Sequence, residues 1–450
     1  MRLLRYPLAA LAGLLVFFLA ASTDRSPVVS NRIERVPSVT VHGRDGTPPR
    51  LGVAQPALSP GPEALAGVVS VLTDDLAFEA AFDLLAPEVV AGLPRPAREG
   101  DAALAEWGAR GADAVLLVDP SVEADRLRVA VRLFDVATLR LAFAREYLGP
   151  AGDPRLVAHV AANELHAAQA DVRGVATTSL AFVSDRSGSK REPTGYMRRV
   201  KEIFVSDYDG ANQRRVTYDG DIVLTPSWSA DGTSLAYTSF QGGFQAVAFA
   251  RPGAGREGRL PVGGKNWLPA WSPDGTRLAF TSNRDGNEEI YVAARDGSQL
   301  TRLTRHWAID TSPAWSPDGR RIAFTSSRSG RPQIWAMDAD GANQRQVTDE
   351  RYCDRPTWSP APFDEIAYVS RTKTGFDIVV LEVATGARRQ LTFGGGFNES
   401  PAWAPSGRHL AFTSTRAGGQ QIWTMTRMGE RLRRVTQVGN NSMPAWSGPR

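Results

Sequence analysis

Pro269-Ala-Trp-Ser-Pro-Asp-Gly275 returns unchanged as Pro313-Ala-Trp-Ser-Pro-Asp-Gly319, and close variants surround Trp228, Trp358, Trp403 and Trp446. Successive tryptophans from Trp228 to Trp446 lie 43, 44, 43, 45 and 43 residues apart. So regular a step marks a repeat architecture. In Pro-Asp-Gly, proline fixes φ, the aspartate side chain bonds to nearby backbone and glycine accepts positive φ, so the motif is a turn after a strand ending in Trp-Ser. A second strand follows as Leu/Ile-Ala-Phe/Tyr at Leu180, Leu235, Leu278, Ile322, Ile366 and Leu410. A third is the apolar run beginning at Ile203, Ile290, Ile334, Ile378 and Ile422, and a fourth ends at Thr217, Thr304, Thr348, Thr392 and Thr436. Four short strands with their turns fill a repeat of this length, which is one blade of a β-propeller.

The two kinds of motif are offset. No Pro-Ala-Trp strand precedes Leu180, and nothing follows the one around Trp446. If Met443–Ser447 supplies the missing first strand of the Leu180 blade, the ring closes and its open edge disappears. The expected fold is therefore mainly β: a six-bladed propeller of four-stranded blades over 173–450, closed by its C-terminal strand. The repeated tryptophans are expected between blades, as core. Two blades depart from the pattern. The first is lengthened around Gly188–Lys201 by a solvated basic hairpin carrying Lys190, Arg191, Arg198, Arg199 and Lys201, and the second has poor third and fourth strands over Ala246–Gly264 and an irregular outer edge.

The chain before the repeat has another texture. Met1–Arg5 is basic, Pro7–Ala20 is almost uninterruptedly apolar, and small residues follow, the order of a secretory signal peptide over 1–22. The run is shorter than the roughly 20 residues of a membrane-spanning helix, although an uncleaved anchor is the other reading. Residues 23–50 read as a flexible polar arm. Residues 51–172 read as a small α/β domain: a strand at Leu51–Ala54, helices over Glu63–Leu85 and Asp101–Arg110, strands at Asp113–Val118, Leu127–Phe134 and Leu139–Tyr147, and a last helix capped by Asp153 with Pro154 in its first turn.

Composition excludes more than it identifies. With 52 basic and 48 acidic residues in 450, a formal charge of +4 gives no argument for nucleic acid or for membrane-surface binding. The single cysteine, Cys353, forbids an intramolecular disulfide and reads as a small residue near a strand. Five histidines form no metalloprotease motif; His159 and His166 are seven apart on one helix and read as surface residues. The sequence shows neither a Gly-x-Ser-x-Gly elbow nor a phosphate-binding glycine loop, and the acidic pairs Asp207/Asp209 and Asp338/Asp340 read as hairpin turns. No catalytic residue, metal ligand or cofactor is therefore expected.

The domain order, the Pro-Ala-Trp-Ser-Pro-Asp-Gly repeats, the stretch Val205-Ser-Asp-Tyr-Asp-Gly-Ala-Asn-Gln213 and the ending Pro444-Ala-Trp-Ser447 together resemble the TolB family, over about Leu51–Arg450. That resemblance implies a monomeric periplasmic binding protein of the Tol–Pal envelope system. It implies a Pal-like outer-membrane lipoprotein held at one mouth of the propeller channel, TolA contacted through the N-terminal region, and no insertion in the membrane after signal cleavage. The segments entering the Pro-Ala-Trp strands line that mouth in the family, which here designates Lys265, Asn266, Trp267, Leu268, Asp310, Thr311, Asn398 and Glu399. Thr23–Arg50 does not match the family's short TolA-binding segment. A paralogue serving another exported partner, and an enzyme or small-molecule binder using the channel, are the alternative readings.

Overall fold

The computed structural model describes residues 30–32, 40–43, 47–54, 63–191 and 195–449. The expected signal peptide, and most of the expected arm, lie outside the described residues.

The N-terminal domain is a six-stranded sheet with helices on both faces. Its strands are β1 (Ser30–Arg32), β2 (Arg50–Ala54), β3 (Asp83–Leu84), β4 (Ala114–Glu123), β5 (Arg126–Asp135) and β6 (Arg140–Pro150), in the order β1-β6-β5-β4-β2-β3. Pairing of β2 with β3 and β4 is parallel, whereas β4, β5 and β6 form an antiparallel meander. Helices α1 (Glu63–Glu79) and α4 (Pro154–Ala170) bury Val68, Leu72, Leu76, Val157, Ala161 and Leu165 against one face. Between them, α2 (Pro87–Val90) and α3 (Ala103–Ala109) cover the other, where Trp107 packs on Val115, Leu117 and Phe134. Gly52 is required there, because a Cβ would stand 2.5 Å from the Trp107 ring.

Three sequence expectations change. The first long helix stops at Glu79, not Leu85. Ala80 takes a left-handed φ of 56°, Phe82 turns into the core, and Asp83–Leu84 becomes an edge strand beside β2. An apolar run uninterrupted by Pro or Gly concealed that reversal. Second, part of the segment expected as a flexible arm is packed: Ser30–Arg32 pairs with β6, and Val41 is buried and held through its backbone by Gln169. Third, the poor outer strands expected in the second blade do form, Ala246–Arg251 pairing Gly255–Arg259, while the expected irregularity is present as a bulge between Phe249 and Ala250. Its turn glycines carry positive φ and allow the chain to reverse, so glycine content there marks turns rather than disorder. The capping of α4 is as expected, Asp153 accepting the Leu156 amide.

The propeller contains six four-stranded antiparallel sheets. The first is closed by the C-terminus: Asn441–Trp446 pairs with Ser179–Ser184, placing Ala445 opposite Ala181 and Trp446 opposite Leu180. Beyond the strand, the Ser447 amide donates to the Ser179 carbonyl (2.9 Å), the Ser179 amide donates back to Ser447 Oγ (2.9 Å), and Trp446 Nε1 donates to Thr178 Oγ1 (2.7 Å). Three of the repeated tryptophans tie one blade to the previous one. Trp228, Trp315 and Trp403 donate Nε1 to the carbonyls of Ala445, Ala270 and Thr357. The repeated Trp packs between blades, as its periodicity suggested, and in these three blades it is an inter-blade donor as well.

Candidate functional site

Antiparallel blades give the propeller two unlike ends. Hairpins between first and second strands, and the turns between third and fourth, end on one face. The connections that enter each innermost strand, with the hairpins between second and third strands, end on the other. The repeated Pro-Asp-Gly turns belong to the first face and are structural. Ser272 and Ser316 each donate their hydroxyl to Asp274 and Asp318 (2.5 Å), which accept the amides of Thr276 and Arg320. Those hydrogen bonds hold both carboxyls below the usual range.

At blades one and six this face is covered by the N-terminal domain. Phe78 of α1 stacks on His409 (centroids 4.3 Å apart) and lies 5.0 Å from the Tyr208 ring. Asp75, one turn earlier, accepts Tyr208 Oη (2.7 Å) and lies 2.7 Å from His159 Nδ1 on α4. Burial opposes the imidazolium form of His159, but its contact with Asp75 outweighs this and holds its pKa above the ordinary value. Arg155 reaches across to Asp209 and Asp207. A second group has Glu79 at its centre. One oxygen accepts the Val175 amide of the interdomain linker, and the other stands 3.8 Å from His166 Nε2 and 4.0 Å from His409 Nδ1 without a hydrogen bond. Burial pushes Glu79 up to about 7 and both histidines down to about 4. His159 and His166 are therefore not surface residues; both are buried in the domain contact. Their spacing of seven, matched by Asp75 and Glu79 four apart on α1, was the available signal. Each pair shares one helix face. Among the described residues no group of three His, Cys, Asp or Glu side chains is arranged to hold a metal ion.

The other face is open. Its connections display Trp307 (80% exposed), Phe393 (73%), Phe397, Ile309 and Tyr218 around the channel entrance. Of the residues designated from sequence, three are buried supports. Asn266 donates to the carbonyls of Gly263 and Gly264, Asp310 pairs with Arg328 (2.5 Å), and Asn398 donates to Asp377 and Gly394 while accepting from Ser414. They shape the entering loops from beneath. Lys265 is exposed, and Trp267, Leu268, Thr311 and Glu399 are half-buried at the entrance. Sequence reading did not single out the loop aromatics Trp307, Phe393 and Phe397. They stand outside the repeated motif, and an apolar residue in a loop is identified as exposed only once the loop is placed.

Below the entrance the channel narrows. Each innermost strand carries a bulge at the residue before its proline, and Thr225, Leu268, Ser312, Arg355, Ser400 and Met443 all have φ between 49° and 55°. The left-handed region is uncommon for non-glycine residues, all the more before proline, so the ring holds these positions against local preference. With the prolines that follow, they leave a neck of about 150 Å³. Cys353 starts the innermost strand of blade five, buried with Sγ 3.0 Å from Glu350 Oε2, and burial pushes its thiol up to about 12.

Comparison with known proteins places this architecture. Residues 168–448 match the family model of the TolB β-propeller domain, and residues 37–141 that of the TolB amino-terminal domain. The Tol-Pal system protein TolB of Bordetella avium is 37% identical over 351 residues, covering 76% of each chain. That of Desulfosudis oleivorans is 35% identical over 241 residues, 53% of this chain and 52% of the relative, so the match spans about half of that relative's length. The crystal structure of TolB from Acinetobacter baumannii superposes with a TM-score of 0.76 at 24% identity, over 93% of this chain and 100% of that one, which speaks for the shared fold. The chain belongs to the TolB family.

Proposed function

We propose that this chain is an exported, periplasmic binding scaffold of the Tol–Pal type, without catalytic activity, whose open propeller face holds a Pal-like outer-membrane lipoprotein. The observation that carries the reading is the division between the two faces. One is covered at blades one and six by the N-terminal domain, and the other gathers exposed Trp307, Phe393, Phe397 and Ile309 around a channel entrance. Monomeric proteins rarely expose grouped apolar side chains unless a partner covers them, and rigid scaffolds carry binding residues on their loops. The neck of about 150 Å³ is small beside the roughly 300–1,000 Å³ of ordinary small-molecule pockets, which favours a protein partner over a substrate held in the channel. Lys265, Trp267, Leu268, Thr311 and Glu399 are the designated residues with surface to offer, while Asn266, Asp310 and Asn398 fix the loops that present them. TolA contact belongs, on the same family reading, to the N-terminal region.

The test is capture from envelope extract with the tagged chain. The lipoprotein is expected with the native protein, and its recovery is expected to fall sharply with Lys265→Glu combined with Thr311→Arg. An extract that yields no Pal-like lipoprotein with the native chain contradicts the reading.

A further inference from the structure

The hairpin inserted in blade one has no counterpart in the other blades. Where they connect second and third strands through 240–245, 283–288 or 327–332, blade one uses residues 185–201. Within this stretch, Ser189–Arg191 and Met197–Arg199 form a separate two-stranded ribbon, closed at its base by the Val200 amide donating to the Gly188 carbonyl (3.0 Å). So small a ribbon is marginal alone, and its pairing sets Lys190 directly opposite Arg198, a like-charge contact that opposes it. What answers that repulsion is the base. Asp221 takes Arg198 (2.7 Å) and, more loosely, Lys190 (3.8 Å), while Asp185 takes Arg199 (2.8 Å) and two donors of Asn440. Among the described residues, two carboxylates therefore anchor a ribbon that bears four cations. Arg191 is exposed, Arg199 stays largely exposed despite its pair, and Tyr196 (70% exposed) and Met197 (54%) stand in solvent beside them.

The ribbon continues a pattern of the whole open face. Its carboxylates are mostly engaged by the protein itself: Asp219 with Arg256 and Ser239, Asp285 with Arg302, Asp349 and Glu350 with Arg388. Among the described residues, Glu288 and Glu399 stand without such a donor. The exposed Lys265, Arg305, Arg351 and Lys373 make no ion pair among the described residues. A chain nearly balanced overall thus turns free positive charge and exposed aromatic rings toward the same side.

We propose that the ribbon of Ser189–Arg191 and Met197–Arg199 is an electropositive docking arm that grips an acidic segment of the protein seated at the channel entrance. This rests on the reading of the open face as the partner-binding face and adds the chemistry of the partner: a carboxylate-rich stretch beside an apolar contact. Arginine suits that role because its planar fork meets carboxylates bidentately. Charge complementarity of this kind acts mainly on association rate and choice of partner.

Two variants of the full chain test it. One is Lys190→Glu with Arg191→Glu. The other replaces 189–199 by a short glycine turn, restoring the sibling length where the chain already closes between Gly188 and Val200. Two probes are used: a fluorescent Asp/Glu-rich peptide containing one phenylalanine, and the soluble domain of the Pal-like lipoprotein of the same organism. Both variants are expected to weaken both probes by about tenfold at low salt, with a smaller loss at high salt as screening grows. Unchanged binding of the lipoprotein domain by both variants, while Trp307→Ala abolishes it, overturns the arm and leaves the partner-face reading intact. If the lipoprotein domain does not bind even the native chain but the acidic peptide does, in a ribbon-dependent way, the arm stands and the partner reading falls. Capture of phosphatidylglycerol vesicles by the native chain, lost in both variants and with neither peptide nor lipoprotein domain bound, overturns the arm in favour of a membrane surface. Binding of none of the three probes by the native chain also overturns it.

Discussion

The two faces of the propeller are built from the same repeat and do opposite things with their side chains. On the face covered by the N-terminal domain, titratable groups are buried and face one another: Asp75 with His159 and Tyr208, and Glu79 between His166 and His409. On the open face, carboxylates are engaged locally and aromatic rings stand in solvent. A substitution on the covered face should therefore cost stability, and one on the open face should cost binding.

The largest effect expected is on the ring that both faces share. Deleting Met443–Arg450 removes Trp446, the strand opposite Ser179–Ser184 and the Ser447 bonds. A lost blade edge with its buried tryptophan exceeds about 5 kcal/mol, enough to lower Tm by more than about 10 °C or to prevent folding. Calorimetry of the truncated chain checks this; an unchanged melt breaks the closure. Next comes Phe78→Ala on the covered face. It removes the stack on His409 and the contact with Tyr208, at about 2–3 kcal/mol by urea unfolding, together with faster proteolysis of the linker around Arg173.

Acidification sharpens the contrast further. His166 and His409 are pushed down to about 4 by burial, so the folded state resists protons that the unfolded chain accepts. Their stabilising contribution is present above about pH 6.5 and is lost as pH falls toward 4. Glu79, pushed up to about 7, works the other way: its contribution is full at low pH and is lost as pH rises through 7. Within the Glu79 group the two histidines outweigh the one carboxyl and leave a loss on acidification, while His159 beside Asp75, held above its ordinary value, acts in the opposite sense. Replacing His166 by Leu, which also removes two buried ring nitrogens lacking hydrogen bonds, should flatten the dependence between pH 6.5 and 4.5 by about 2 kcal/mol. Identical pH–stability profiles for the two proteins contradict the burial account. The smallest stability effect belongs to the open face. Trp307→Ala with Phe393→Ala should shift unfolding by less than about 0.5 kcal/mol, since neither ring is buried. A larger shift means these rings serve the fold.

What the sequence disclosed follows from periodicity. Trp228 to Trp446 announced six blades, and the offset of the two motifs announced closure by the C-terminus, because a repeat states its own geometry. The Asp153-Pro154 start of α4 was equally legible, being a local bond. What stayed hidden depends on contacts between distant segments. Beyond the helix face that His159 and His166 share, nothing local tells that a propeller turn will cover them, and the apolar run after Glu79 gave no warning of its left-handed reversal at Ala80. For the candidate site, the family's entering segments all lie on the open face and mix supports with surface. Asn266, Asp310 and Asn398 are polar residues used inward, whereas Trp307 and Phe393 are apolar residues used outward. Both reverse the ordinary reading of polarity, and both become visible only when the loops are placed.

The division of the faces is tested most directly by hydrogen exchange of the full chain, with and without the soluble domain of the Pal-like lipoprotein. Protection is expected to rise in the open-face segments 218–222, 261–268, 305–311 and 393–399 and to stay level in α1, α4 and the turn around Tyr208. Protection gathered instead on α1, α4 and that turn, with the open face unchanged, would contradict the account.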